Sequence, residues 1–119
     1  MNSIFDPAGT LLPYVTRARV LLQSLWIQEL SWDEPLQERV LAAWQSWLSE
    51  LGDLDSVTID RQYWPADFEP VSLELHAFAD SSETVFASCC YIRATDCQGI
   101  THVALVMSRA RVAPVGKKR

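Results

Sequence analysis

The strongest constraint on the fold of this chain is a change of hydrophobic period near its middle. Up to Gly52 apolar residues recur at three- and four-residue steps, whereas from Val71 onward they recur at every second position. After Pro13, which suits a first helical turn, Ala18, Leu21, Leu22, Leu25 and Trp26 predict a helix over 13–29. Ser31-Trp32-Asp33-Glu34-Pro35 ends that helix and starts another, with Asp33 placed to accept from exposed amides and Pro35 tolerated in the first turn. Leu36, Val40, Ala43, Trp44, Trp47, Leu48 and Leu51 continue the helical spacing, and Gly52 sits where a left-handed residue commonly stops a helix. The two amphipathic helices are expected to pack antiparallel and bury Trp26, Trp44 and Trp47; at helical spacing a core role outweighs a base-stacking one.

Beyond Gly52, Val57-Thr58-Ile59 reads as a short edge strand, and Tyr63-Trp64-Pro65 with Phe68-Glu69-Pro70 as an aromatic, proline-punctuated linker. A boundary near 60–70 divides a helical region, 1–62, from a sheet region, 63–119. Val71 to Ala79 alternates strictly and leads to Asp80, after which Ser81-Ser82-Glu83 turns the chain. Thr84–Arg93 and Ile100–Ser108 are further strands, separated by the turn-forming Asp96-Cys97-Gln98-Gly99. The expected class is α+β: a helical hairpin followed by a three-stranded antiparallel sheet.

With 119 residues, one compact domain is the ceiling. The 49% hydrophobic content excludes a disordered chain, and no apolar run approaches the roughly 18 residues of a membrane span. No basic start and apolar leader follow Met1, so an intracellular, cytoplasmic default is the expectation, with no membrane partner. Cys89, Cys90 and Cys97 are odd in number, and the adjacent pair should point to opposite faces of a strand. Small buried thiols are therefore expected rather than a disulfide or a zinc site with His76 or His102.

The net charge of −5 is unevenly spread: residues 1–107 hold five basic and fifteen acidic groups, whereas 108–119 hold five basic and no acidic ones. Arg109, Arg111, Lys117, Lys118 and Arg119 are candidate phosphate contacts, with a solvated terminus as the plainer reading. The candidate for metal chemistry is Asp80, at the junction of an apolar strand and a polar turn. A carboxylate fixed there can face solvent and hold a hard cation such as magnesium, or simply cap the turn through the adjacent backbone.

Several ordered motifs carry a resemblance. His76-Ala77-Phe78-Ala79-Asp80-Ser81-Ser82-Glu83, Ala87-Ser88-Cys89-Cys90-Tyr91-Ile92-Arg93 and Ser108-Arg109-Ala110-Arg111-Val112-Ala113-Pro114 resemble the ribonuclease-H-like segment of Pao/BEL-type retrotransposon Pol polyproteins. Phe5 to Pro13, Arg17 to Gln23, Leu25-Trp26 and Trp32 to Leu36 look like the helical connection that follows the reverse-transcriptase palm in those proteins. The resemblance implies hydrolysis of RNA in an RNA–DNA hybrid, magnesium as cofactor, the hybrid as partner, and Asp80 as a metal-binding catalytic carboxylate. It also implies a later acidic residue in a helix beyond Arg-Val-Ala-Pro, whereas Val115-Gly116-Lys117-Lys118-Arg119 closes this sequence.

The expectation is accordingly a Pol fragment with the incomplete first half of a ribonuclease-H-like fold, inactive alone and binding no magnesium tightly. A pair of divalent ions about 3.5–4 Å apart needs several carboxylates. Glu74 lies six residues back along the strand, roughly 20 Å away, and Glu83 matches no family ligand. Aspartic peptidase chemistry is also excluded, because Asp80-Ser81-Ser82 lacks both the glycine and a second aspartate. An uncovered apolar sheet face is expected, open to a partner protein. Alternative readings are a small domesticated nucleic-acid- or protein-binding module, and a truncated gene model of an active hybrid nuclease.

Overall fold

The computed structural model describes residues 5–115. Among them are two α-helices, α1 (Leu12–Ile27) and α2 (Glu38–Ser49), a 3-10 helix (Glu50–Ser56) and three strands, β1 (Ser72–Ser81), β2 (Val85–Thr95) and β3 (Thr101–Val112). The strands form one antiparallel sheet in the order β1-β2-β3. The fold is α+β, two helices and then a meander, as the periods require.

The helices meet through Tyr14, Ala18 and Trp47, with Val15, Trp44 and Leu54 packed around them. Tyr14 and Trp47 stack at 4.6 Å between ring centroids. Their polar atoms are reciprocally satisfied: the Tyr14 hydroxyl donates to the Trp47 carbonyl and Trp47 Nε1 donates to the Tyr14 carbonyl, both at 2.9 Å. The first turn of α1 thus meets the last turn of α2, as an antiparallel pair requires. Arg17 adds a two-pronged contact to the Glu50 carboxylate at 2.6 and 2.7 Å.

Several local expectations fail. Trp26 is 78% exposed: the helices share a core only around Tyr14, Ala18 and Trp47, toward the start of α1, and Trp26 lies near its other end. The helix ends at Ile27, and Glu29 takes a left-handed φ of 54°, so α2 does not begin at Asp33 or Pro35. A turn closes over that segment instead, with Glu34 N–H donating to the Ser31 carbonyl, and α2 starts after an extended Gln37 with no side-chain cap. Gly52 does not stop the helix: the 3-10 turns run through it without positive φ. Val57-Thr58-Ile59 forms no strand, since it finds no ladder partner. The cysteines are not buried: Cys89 and Cys90 are half-buried on opposite faces and Cys97 is exposed in its turn.

The helices join the sheet through the turn before α1. Asp6 accepts from the Thr10 and Leu11 amides at 2.8 and 2.9 Å, shaping a turn in which Gly9 has φ +80°. That turn lies on β3: Ser108 N–H donates to the Ala8 carbonyl at 2.7 Å and Ser108 Oγ to the Gly9 carbonyl. From there α1 runs across Val85, Ala87 and Ala110, and Gln23 Nε2 donates to the Ala113 carbonyl. Among the described residues the opposite sheet face is covered at its far end, where Phe68 packs edge-on against His102. Leu73, Leu75, Phe86 and Met107 on that face stay exposed.

Two predictions follow from these joints. A Cβ on Gly9 would overlap the Ser108 carbonyl oxygen and hold a strained backbone besides, so Gly9→Ala should cost about 1–3 kcal/mol, read as a lower urea midpoint. The Arg17 guanidinium, chiefly through its hydrogen bond, holds the Glu50 carboxyl below the usual glutamate range. A depressed carboxyl stabilises the folded state above its unfolded value and loses that contribution as pH falls through the folded one. The helical signal should therefore weaken as pH falls below the ordinary glutamate range, and Arg17→Gln should flatten that dependence.

Candidate functional site

Strand alternation decides which side chains share a face. Asp80 pairs with Ala87, which pairs with Ala110, so these three lie on the face that carries α1. Asp80 is the penultimate residue of β1, is exposed, and sits where the sheet passes the N-terminal turn. Between them runs an open groove of about 370 Å³, with Phe78, Ala87 and Tyr91 as floor, Gly9, Thr10 and Pro13 as wall, and Asp80 at the rim. Phe78 and Tyr91 meet edge to face at 6.2 Å.

One oxygen of the carboxylate is committed. Asp80 Oδ1 accepts from the Ser81 amide at 2.8 Å, while Oδ2 has no hydrogen-bond partner among the described residues. Ser82 organises the following hairpin, its hydroxyl accepting from the Thr84 and Val85 amides, so the two-residue loop Glu83-Thr84 turns sharply. Glu83 therefore belongs to the loop and not to the face of Asp80.

The next charged group on that face is at the far end of β1. Glu74 accepts from Arg93 Nη1 at 3.0 Å and pairs with His76 Nε2 at 2.9 Å, and these contacts, His76 first, hold the Glu74 carboxyl below its ordinary value. His76 is thus engaged with Glu74 and His102 with Phe68; neither forms a metal-binding group with the cysteines. Among the described residues no cluster of three His, Cys, Asp or Glu side chains is placed to hold a metal.

Arg109 and Arg111 project from the other face, paired with Ser88 and Phe86, and both are exposed. The sheet brings them to the same end as Asp80 but separates them from it by its own thickness. Lys117, Lys118 and Arg119 lie outside the described residues. Sequence reasoning missed the Ala8-Gly9 contact with Ser108, which builds the wall of the groove. The available signal was Pro7-Ala8-Gly9, a turn able to approach another backbone closely.

These features match one family across the whole chain. The Pao retrotransposon-like RNaseH-like domain family matches residues 1–119. The chain belongs to that family. No curated protein and no solved structure matches the chain. The two helices and the meander are consistent with a partial ribonuclease-H-like domain in which Asp80 occupies the end of the first strand. No helix among the described residues is long and apolar enough to cross a membrane.

The described residues do not fit a pair of magnesium ions. Asp80 is flanked on its face by two alanines, and one of its oxygens is already held by a backbone amide. Such a group can orient one hydrated cation weakly, through its free oxygen and retained waters. A magnesium titration followed at the Asp80, Ser81 and Ala87 amides should give a dissociation constant above about 1 mM.

Proposed function

We propose that this chain is part of a retrotransposon Pol protein whose ribonuclease-H-like domain hydrolyses the RNA strand of an RNA–DNA hybrid. Asp80 supplies one carboxylate of that site, and residues 1–119 do not carry out the cleavage alone. The observation that supports this reading most directly is the isolation of Asp80: it faces an open groove at the end of β1, and its neighbours across the sheet are Ala87 and Ala110. Phosphodiester hydrolysis by paired divalent ions requires several carboxylates to offset the repulsion between the ions. The other acids would have to come from polypeptide outside residues 5–115.

What the chain itself contributes is position. β1, anchored along its length by β2, fixes the Asp80 backbone, and the Ser81 amide fixes the rotation of its carboxylate. The groove between the sheet and the N-terminal turn leaves the free oxygen accessible. Arg109 and Arg111 face away from it, so any phosphates they touch lie across the sheet from the groove.

The test is direct. Purified protein incubated with an end-labelled RNA–DNA hybrid and magnesium should give no cleavage above background. Cleavage that disappears in Asp80→Asn would show that the chain holds a complete site and would overturn the reading.

A further inference from the structure

The two faces of the sheet differ in charge. Its three strands contain two acidic residues, Glu74 and Asp80, and alternation puts both on the face that carries α1. The opposite face holds Arg109 and Arg111 and no acid from any strand. The ion pairs among the described residues engage Arg17, His76 and Arg93, so neither guanidinium on β3 is neutralised by them. Two like charges two residues apart, about 7 Å at strand rise, repel one another and are relieved by an anion.

Strand register shapes a recess around them. One cross-strand row sets Ser81, Phe86 and Arg111 side by side, and the next sets Ala79, Ser88 and Arg109. These six residues line a recess of about 360 Å³, in which the short side chains of Ala79 and Ser88 leave room between the Phe86 ring and the two arginines. Phe86 is 44% exposed. A helix packed here would bury two guanidiniums that no acid of the sheet can pair, which is costly, whereas an anionic partner carrying a flat ring satisfies both the charges and the aromatic face.

We propose that this recess binds single-stranded nucleic acid: a base stacks on Phe86 while Arg109 and Arg111 each meet a phosphate of the same strand. The exposed ring selects an unpaired base, because a duplex hides the faces of its bases. The spacing of the arginines along β3 suits separate phosphates rather than a joint grip on one. The recess lies across the sheet from Asp80, so it is a second contact, distinct from the groove. It takes from the proposed function only that the partner is nucleic acid, and it needs neither magnesium nor a complete cleavage site.

Fluorescence anisotropy of the full chain with a labelled oligothymidine of about twelve nucleotides, in EDTA and about 50 mM salt, should give a Kd of about 1–100 µM. Phe86→Leu keeps an apolar side chain and removes the aromatic face, so affinity should fall about fivefold or more at every salt concentration with the salt slope unchanged. Arg109→Gln combined with Arg111→Gln should flatten the slope of log affinity against log salt by about 1.4, the value for two phosphate contacts on a single strand. Absence of binding up to about 200 µM, or binding that either Phe86→Leu or the arginine pair leaves unaltered, would overturn the proposal. Equal affinity for a fully paired duplex of the same length would do so too. Should a variant not fold, amide shifts in the unaltered chain decide: those of Phe86, Ser88 and Arg109 should move as oligothymidine is added, and shifts confined to other residues would overturn the site. Because magnesium is absent, failure here leaves the hybrid reading standing, and hybrid cleavage by the unaltered chain leaves this recess standing.

Discussion

The close approach of the Ala8-Gly9 backbone to Ser108 is the joint on which the rest of the structure depends. Without it the helices and the meander are two marginal pieces, each too small to bury an adequate core. The contact is polar, made of one backbone bond and one hydroxyl bond, and it requires a glycine because no side chain fits against Ser108. Asp6 keeps the turn in shape by accepting two of its amides. The joint also sets the direction of α1, and so places the core formed by Tyr14, Ala18 and Trp47 over one end of the sheet only.

From that placement comes the open character of the molecule. The radius of gyration is 19.1 Å, where a compact chain of this length has roughly 13.5 Å. Among the described residues, one sheet face receives α1 at Val85, Ala87 and Ala110, and the other receives the Trp64–Phe68 segment near His102. The residues left uncovered are apolar, including Leu73, Leu75 and Met107, and the outward backbone groups of Leu73, Leu75, Ala77 and Ala79 have no partner among the described residues. Burial and hydrogen bonding thus fall short in the same strand.

How much of this was legible in the sequence depended on the range of the deciding interaction. The period-two runs of β1, β2 and β3 and the turn at Gly99 reflect local geometry, and the strands lie within a few residues of their expected bounds. Helix ends were less legible. Asp33 and Gly52 have the chemistry of a cap and a stop, yet a turn at Ser31–Glu34 and a 3-10 continuation prevailed. Trp26 follows the helical stripe but stays exposed, because the helices share a core only around Tyr14, Ala18 and Trp47, which no periodicity records. At the site, the place of Asp80 at the strand end was readable from alternation. The face it shares with Ala87 and Ala110, and the separation of Arg109 and Arg111 from it, depended on cross-strand register.

Asp80 joins the two themes. In its present contacts the carboxylate answers a backbone need, because the Ser81 amide would otherwise have no partner among the described residues. A strand paired along the edge of β1 at Ser81 would supply a carbonyl for the same amide and release the oxygen that Asp80 now commits.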